Sequence, residues 1–259
     1  MTRQKAVDAG GVEKDGIIMY QIDFEKPLPV YFIGIGGISM SGLAEILMRE
    51  GFLVSGSDAH ESELTRHLES QGARIFYGHR AENLPEDAGL VVYTAAIHPD
   101  NPEYGEAVRR GIPMLSRATL LGQMMRNYRH ALAIAGTHGK TTTTSMVAEI
   151  LLAAGLDPTI SVGGILPSIG GNIRVGGQEL FVTEACEYTN SFLEFFPTMG
   201  VILNIEADHL DFFKDLEDIR HSFREFAKRI PGEGLLILDG AISCPEEITA
   251  GLACRVVTV

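Results

Sequence analysis

One stretch of the chain, ALAIAGTHGKTTTTS at residues 131–145, limits the possible folds more than any other. Its apolar first residues predict a buried strand, and a helix-compatible segment begins at Lys140 after a turn that contains glycine. A helix that starts after such a turn points unpaired N–H groups and the positive end of its dipole at one place, which favours a bound phosphate. The general phosphate-loop pattern has a glycine where this chain has Ile134, so the match is to a shorter form, GxxGKT. The sequence predicts a phosphate site at which Lys140 supplies positive charge and Thr141 offers a hydroxyl to magnesium.

The same order of strand, glycine turn and helix occurs earlier, in VYFIGIGGISMSGLAEILMREG from Val30. A second strand, residues 52–57, is followed by Asp58, at the position where a Rossmann-like unit places an acid against a ribose hydroxyl. The third glycine of GxGxxG is replaced by Ser39, and a lone glycine-rich turn is weak evidence. Together with Asp58, the pattern favours a nucleotide or dinucleotide site, and the alternative is a purely structural turn.

Three polar residues, His79, Thr94 and Arg117, follow other predicted strands of this first region. Taken singly, each is an ordinary surface or loop residue. Open α/β sheets bind their ligands beyond the carboxyl ends of the strands. As a set at that edge, the three residues predict a ligand site.

Two further predicted strands lead to Glu184 and to His209, which lies in the segment EADHLD. Carboxylate oxygens suit Mg²⁺, whereas a histidine ligand is unusual for that ion and also favours Mn²⁺. These residues are therefore candidate metal ligands beside the phosphate loop. The alternative interpretation is a helix start capped by Asp208, with His209 in solvent.

Charge and composition exclude some functions. The net charge of -13 leaves no basic surface for nonspecific binding to nucleic acid or to anionic membranes. No apolar run approaches the ~20 residues that span a bilayer, and the charged N-terminus lacks the pattern of a signal peptide. The three cysteines form no CxxC pair, which fits a reducing compartment. We therefore expect a cytoplasmic protein.

The 259 residues allow two domains. We expect a mobile leader at residues 1–29, part of which packs or pairs loosely, a Rossmann-like α/β domain at 30–128, and a P-loop-type α/β domain at 129–259. Within the second domain, residues 163–177 are expected to form a glycine-rich loop.

Six motifs occur in one order, and together they resemble the Mur ligases; they are FIGIGGISMSGLAEIL, SGSD, TAAIHPDNPE, AIAGTHGKTTTT, EACEYTNSFL and NIEADHLD. The resemblance covers almost all of residues 30–259 and is greatest to the branch that adds L-alanine. It implies an N-terminal domain that holds a UDP-sugar, a central ATPase domain, and a C-terminal Rossmann-like domain that helps bind ATP and the amino acid. On this basis we expect a truncated chain that holds the first domain and most of the second, with the C-terminal domain normally in cis.

The resemblance also implies roles for individual residues. Lys140 would stabilise charge on the γ-phosphoryl group, Thr141 and Glu184 would bind one Mg²⁺, and Glu184 with His209 would bind a second. The ATP phosphates would be held by Gly136, Thr137, His138, Gly139, Lys140, Thr141 and Thr142. The UDP-sugar would be held by Gly36, Gly37, Ser57, Asp58, His79, Thr94, Ala95 and Arg117.

The implied reaction is one step of peptidoglycan precursor synthesis. The carboxylate of UDP-N-acetylmuramate attacks the γ-phosphate of ATP, which gives an acyl phosphate and ADP. The amine of L-alanine then attacks the acyl phosphate, forms the amide and releases phosphate. Such phosphoryl transfer depends mainly on positioning and on stabilisation of charge.

We expect the chain alone to bind the UDP-sugar but to turn over little. One alternative is a non-catalytic UDP-sugar-binding module. Another is a nicotinamide-dependent dehydrogenase, which leaves GTHGKTTTT, Glu184 and His209 unexplained.

Overall fold

The protein is an α/β protein with two sheets that are largely parallel, as the sequence predicts. Its structure is a computed structural model that describes residues 11–14 and 17–259. The chain divides between Leu120 and Leu121 into two compact units, called here the first unit and the second unit. The sequence places a domain boundary after residue 128. Among the described residues, no helix is both long enough and apolar enough to cross a bilayer.

The expected leader contributes to the first unit. Strands β1 (Gly11–Lys14) and β2 (Ile17–Tyr20) pair antiparallel, while residues 1–10, 15 and 16 of the expected leader lie outside the described residues. Beyond β2, Ile22 and Phe24 are buried, and the Phe24 ring meets the Phe52 ring edge-on at 6.2 Å between centroids. These apolar side chains remove the described end of the leader from solvent, so residues 20–24 belong to the part of the leader that packs.

The first unit alternates strands and helices, as the sequence predicts. The five-stranded sheet has the order β5-β4-β3-β6-β7, and all of its strands are parallel. Its elements are β3 (Pro29–Ile33), α1 (Ile38–Arg49), β4 (Leu53–Asp58), α2 (Glu63–Ser70), β5 (Arg74–Tyr77), β6 (Leu90–Tyr93), α3 (Pro102–Arg110), β7 (Met114–Ser116) and α4 (Arg117–Met125). A 3₁₀ turn, Ala81–Asn83, lies between β5 and β6.

Local sequence explains these elements. Strand β3 is apolar without interruption, and Tyr31, Phe32 and Ile33 are fully buried, as is usual for a parallel strand covered on both faces. Helix α3 begins at a side-chain cap, because the carboxamide oxygen of Asn101 accepts from the backbone N–H groups of the first turn. The same helix ends at Gly111, which adopts the left-handed conformation with φ 67°.

The second unit is built on a seven-stranded sheet of order β10-β9-β11-β8-β12-β13-β14, in which only β10 is antiparallel to its neighbour. Its elements are β8 (His130–Ala135), α5 (Lys140–Ala153), β9 (Thr159–Leu166), β10 (Gly171–Arg174), β11 (Leu180–Ala185), β12 (Met199–Ile202), α6 (Leu216–Ala227), β13 (Leu235–Leu238), α7 (Glu246–Thr249) and β14 (Arg255–Thr258). Two 3₁₀ segments, Pro167–Ile169 and Tyr188–Glu194, lie between β9 and β10 and between β11 and β12.

The expected glycine-rich loop at residues 163–177 is largely a hairpin. Strand β9 continues to Leu166, and β10 returns antiparallel beside it. Glycine usually weakens a strand, but it is favoured where another group approaches the backbone closely. That is the case at Gly163, where a Cβ would lie 2.8 Å from a carboxylate oxygen of Glu184. Here glycine marks a close approach within a strand, so the expectation of a loop is wrong for residues 163–166 and 171–174.

Candidate functional site

The candidate site of the second unit lies beyond the carboxyl ends of three adjacent strands. Strand β8 is flanked by β11 on one side and by β12 on the other. Further strands are added on both sides of β8, so the carboxyl end of β8 is a topological switch point. In an open α/β sheet, the crevice at such a point is the usual ligand site. The structure therefore brings the phosphate loop after β8 close to the ends of β11 and β12, which lead to Glu184 and His209.

The phosphate loop needs its glycines for different reasons. Gly136 has φ 146°, and a Cβ there would lie 3.0 Å from the Cβ of Leu203. Gly139 has φ 84° and occupies the N-cap position of α5, where no side chain accepts from the first turn. The N–H groups at the start of α5 are thus not capped by a side chain, and such a helix start is suited to an anion.

Asn204, which the sequence analysis missed, holds the phosphate loop. Its side-chain oxygen accepts from the backbone N–H of His138 at 2.7 Å, and its amide nitrogen donates to the carbonyl of the same residue at 3.0 Å. Its backbone carbonyl accepts from the N–H of Thr137 at 3.2 Å. The available signal was the position of this polar amide, which follows an apolar strand and begins the motif NIEADHLD.

Lys140 is held by the loop and by a buried carboxylate. Its Nζ donates to the carbonyls of Gly136 and Thr137 at 2.6 and 3.2 Å, and to Oε2 of Glu187 at 2.9 Å. Glu187 is 1% exposed, so its charge requires this partner. The sequence analysis missed Glu187, although it lies three residues after Glu184 in EACE.

His209 lies beside Glu187. Its Nε2 is 3.6 Å from Oε1 of Glu187, and its ring lies over Tyr188 with 4.6 Å between ring centroids. The family resemblance pairs His209 with Glu184 in binding a second metal ion, whereas the ion-pair partners found for this histidine are Glu187 and Asp208. The alternative cap at Asp208 is also not found, because α6 is capped by Asp215.

Glu184 meets Thr141 at the start of α5. The hydroxyl of Thr141 donates to Oε2 of Glu184 at 3.0 Å, and the N–H of Gly163 donates to the other carboxylate oxygen. A hydroxyl and a carboxylate are hard oxygen donors of the kind that Mg²⁺ prefers, so this pair fits one magnesium ion. Within residues 11–14 and 17–259, no group of three or more His, Cys, Asp or Glu side chains is arranged to hold a metal. An ion held by Thr141 and Glu184 would take its remaining ligands from water or from a substrate.

The candidate site of the first unit occupies the corresponding edge of the other sheet. Strand β3 lies between β4 and β6, so the switch point follows β3. In the glycine turn after β3, the N–H of Gly36 donates to Oδ2 of Asp58 at 2.8 Å. A Cβ at Gly36 would lie 2.8 Å from the same oxygen. Asp58 therefore fixes the glycine turn through one oxygen, and its contact with a ribose remains a prediction.

The other predicted ligand residues of the first unit also lie at this edge, in different surroundings. Thr94 follows β6 and accepts from the N–H of Ala96 at 3.0 Å, and Arg117 begins α4 directly after β7. Gly37 and Ala95 are exposed. A cavity of about 300 Å³ at this edge is lined by His79, Ala96, Ile97, His98, Asp100 and Asn101.

Ser57 and His79 converge on a buried carboxylate that the sequence analysis missed, Glu103. The Ser57 side chain is buried, and its hydroxyl donates to Oε2 of Glu103 at 2.6 Å. Nδ1 of His79 is 3.0 Å from the same oxygen. The predicted contact of Ser57 with a ligand remains a prediction, since its hydroxyl is bonded inside the unit. Glu103 ends the motif TAAIHPDNPE, which was a signal, but an acid in the first turn of a helix is commonly a solvated residue.

Comparison with known proteins agrees with this arrangement. The model of the Mur ligase family, catalytic domain, matches residues 29–129, and that of the Mur ligase middle domain matches residues 134–259. A UDP-N-acetylmuramate--L-alanine ligase of Agathobacter rectalis is 62% identical over 240 residues, covering 93% of this chain and 52% of the relative. A ligase of the same name from Clostridium novyi is 57% identical over 229 residues, covering 88% of this chain and 50% of the relative. The chain thus spans about half the length of the curated relatives that it matches.

Solved structures are similar as well. UDP-N-acetylmuramate:L-alanyl-gamma-D-glutamyl-meso-diaminopimelate ligase from Neisseria meningitides has a TM-score of 0.78 and 31% identity, with 90% of this chain and 78% of that chain covered. UDP-N-acetylmuramate-alanine ligase MurC from Thermotoga maritima has a TM-score of 0.72 and 32% identity, with 90% of this chain and 53% of that chain covered. Both family models and these relatives agree, and the chain belongs to the Mur ligase family.

Proposed function

We propose that these residues are the UDP-sugar-binding and ATP-binding parts of a ligase that joins L-alanine to the carboxylate of UDP-N-acetylmuramate. The main support is the second unit, in which Lys140 is fixed at a phosphate loop beside the oxygen pair of Thr141 and Glu184. The choice of L-alanine is supported by relatives that are named for it and are 62% and 57% identical to this chain.

In the proposed reaction, residues 136–142 hold the phosphates of ATP, mainly through the uncapped N–H groups of residues 139–142 at the start of α5. The N–H groups of Thr137 and His138 are donated to Asn204 and shape the loop instead. Lys140 stabilises negative charge on the γ-phosphoryl group as it transfers to the muramoyl carboxylate. Thr141 and Glu184 hold a magnesium ion, which supplies further positive charge to the phosphate oxygens when bound. His209 orients Glu187, and both act on the position of Lys140.

The ammonium group of Lys140 has to change partners for this role. All three of its protons are directed to Gly136, Thr137 and Glu187. A phosphate oxygen that enters the loop competes with Glu187 for the ammonium, and it brings negative charge of its own. Lys140 is therefore proposed to exchange one anionic partner for another when ATP binds.

The first unit is proposed to bind UDP-N-acetylmuramate at its switch-point edge. The glycine turn with Gly36 and Gly37 leads into α1, whose first N–H groups have no side-chain cap and are proposed to meet the diphosphate, and Arg117 adds a positive charge. Asp58, His79, Thr94 and Ala95 lie at the same edge and are assigned to the sugar and nucleoside parts of the ligand. Ser57 is assigned to the same site and acts from inside through Glu103.

Titration calorimetry tests the two assignments separately. We expect UDP-N-acetylmuramate to bind the chain with the stoichiometry of one site, and MgATP to bind in a manner that is lost in Lys140→Ala. A folded protein that fails to bind UDP-N-acetylmuramate would contradict the first-unit assignment. MgATP binding that survives in Lys140→Ala would contradict the assignment of the phosphate loop.

Because these residues alone are expected to turn over little, the amino acid is tested in a full-length version that also carries the C-terminal domain. Phosphate release from ATP is measured with UDP-N-acetylmuramate and either L-alanine or the tripeptide L-alanyl-gamma-D-glutamyl-meso-diaminopimelate. We expect release to depend on L-alanine. The tripeptide is the component that the similar Neisseria meningitides ligase is named for. Release with the tripeptide alone would replace L-alanine in the proposal and would leave the two binding sites unchanged.

A further inference from the structure

Glu103 is an unusual residue to find in the core of the first unit. Its side chain is 0% exposed, and no lysine or arginine side chain pairs with it among the described residues. Burying a carboxylate without a strong cationic partner costs folding free energy unless many hydrogen bonds compensate it. An apolar residue is often tolerated equally well at such a position. The position therefore calls for a role beyond packing.

Both oxygens of Glu103 accept hydrogen bonds. Oε1 accepts from Asn83 Nδ2 at 2.7 Å, from the hydroxyl of Tyr31 at 3.1 Å, and from the backbone N–H of Arg80 at 3.3 Å. Oε2 accepts from the hydroxyl of Ser57 at 2.6 Å. The start of α3 adds the positive end of a helix dipole. The carboxylate is thus held in one orientation from several directions.

This fixed carboxylate determines the state of His79. Nδ1 of His79 lies 3.0 Å from Oε2 and 3.1 Å from the Ser57 hydroxyl oxygen. Because the Ser57 proton is already donated to Glu103, Nδ1 meets only acceptors and has to carry a proton itself. Nε2 is the free ring nitrogen, with no hydrogen-bond partner among the described residues.

The His79 side chain is 26% exposed and lines the cavity of about 300 Å³ at the switch-point edge. The Nε2 side of the imidazole therefore faces the cavity, while Nδ1 is hydrogen-bonded to Glu103 on the buried side. Asn101, which caps the helix that carries Glu103, lines the same cavity. One helix start thus builds part of the cavity wall and supports the histidine in it.

We propose that Glu103 is a positioning residue for the sugar-nucleotide site, acting through His79. It fixes the Nδ1-protonated form of the imidazole, in which Nε2 is an acceptor, and aims Nε2 at a hydroxyl group of the bound ligand. The identity of that ligand as UDP-N-acetylmuramate rests on the proposed function. The coupling between Glu103 and His79 rests on the geometry alone.

The decisive experiment is a double-mutant cycle with Glu103→Gln and His79→Ala, read by titration calorimetry with UDP-N-acetylmuramate. We expect Glu103→Gln alone to weaken binding about 10- to 100-fold, because the amide nitrogen only donates and faces other donors at whichever carboxylate oxygen it replaces. In the His79→Ala background, the same change should alter affinity less than about twofold. Losses that simply add would overturn the proposal, since a purely structural glutamate does not act through one histidine.

Glu106→Gln is the matched control, because it makes the same change on the same helix at a carboxylate that pairs with Arg109 at 2.7 Å. It should leave the affinity unchanged, and a loss equal to that of Glu103→Gln would overturn the proposal.

A second measurement does not depend on any variant that folds poorly. Long-range ¹H–¹⁵N NMR spectra of the unmodified chain report which ring nitrogen of His79 carries the proton, and His79→Gln identifies its signals. We expect a protonated Nδ1, and a bare Nδ1 would overturn the proposal. If the unmodified chain does not bind UDP-N-acetylmuramate, the proposed function fails, and the NMR result still decides whether Glu103 sets the state of His79.

Discussion

The two units each bury one carboxylate near the edge of the sheet where the predicted ligand residues lie, and they stabilise it differently. In the first unit, Glu103 is surrounded by neutral donors and by His79. In the second unit, Glu187 faces the ammonium of Lys140 at 2.9 Å, with His209 at 3.6 Å. Hydrogen bonds from several directions fix a group in place, whereas an ion pair can be exchanged for another ion pair. The difference suggests a fixed support in the first unit and an exchangeable partner in the second.

The largest effect is expected for Lys140→Ala. It removes the cation from the phosphate loop and leaves Glu187 buried without its partner. We expect MgATP affinity to fall by about 100-fold or more, so that calorimetry detects no binding, and the free energy of unfolding to fall by ~3 kcal/mol. Calorimetry and chemical denaturation measure the two effects.

The double variant Lys140→Met, Glu187→Gln separates these effects. Without a buried charge, it should recover most of the stability and none of the MgATP binding. If Lys140→Ala is as stable as the unmodified chain, Glu187 does not depend on the ammonium and the contrast between the units disappears.

The glycine turns provide a second contrast. At Gly136 an alanine is strained by φ 146° and meets the Cβ of Leu203 at 3.0 Å, so we expect Gly136→Ala to cost about 1–3 kcal/mol and to abolish MgATP binding. At Gly36 the backbone has no positive φ, and the new Cβ meets side-chain atoms alone, an oxygen of Asp58 at 2.8 Å and the methyl carbon of Thr65 at 2.9 Å, so we expect a smaller cost. Denaturation of the two variants compares these costs. A larger loss of stability in Gly36→Ala would reverse the expected order.

Exchange at Glu187 is tested by Glu187→Gln. The change removes a negative charge that competes with phosphate for Lys140, so MgATP affinity should rise about threefold to tenfold. The measurement is calorimetry at fixed ionic strength. Glu225→Gln is the control, because Glu225 lies on α6 and pairs with Lys228 at 2.6 Å. The MgATP affinity of this variant should not change. A weaker affinity in Glu187→Gln would mean that the carboxylate supports the bound state.

The smallest effect concerns alkaline pH and the neutral network of the first unit. Burial raises the pKa of Tyr31 far above its ordinary value, and the adjacent Glu103 raises it further. Tyr31 ionises more readily in the unfolded chain, near pH 10, so its contribution to stability is complete below that pH and is lost as the pH rises further. We expect the free energy of unfolding to fall less steeply between pH 9 and about 11 in Tyr31→Phe. Equal slopes in the two proteins would contradict a protonated, buried Tyr31.

Much of the fold was predictable because its signals are local. Apolar strands, glycine turns and amphipathic helices alternate along the chain, and parallel topology then brings the carboxyl ends of the parallel strands to one edge of each sheet. His79, Thr94 and Arg117 could be assigned to that edge from their positions alone. The family resemblance added ligands and a reaction, which no local pattern contains.

What could not be predicted depends on contacts between distant residues. Glu103 meets Ser57, which lies 46 positions away, and Glu187 meets Lys140 at a separation of 47. In the sequence both acids resemble solvated residues near helix starts. Gly163 resembled a loop glycine, because the carboxylate of Glu184, which requires a glycine at this position, belongs to another strand. Ile22 and Phe24 could not be assigned to the core, since the segment around them is polar.

The amide of Asn204 has a consequence for the cost of binding. Its oxygen and nitrogen both engage the backbone of His138, and its carbonyl engages Thr137, so β12 holds the loop that follows β8. A loop shaped in this way does not lose conformational freedom when a nucleotide arrives, and little of the binding free energy is spent on ordering it. Preorganisation of the nucleotide site therefore depends to a large extent on one side chain that does not itself need to touch the nucleotide.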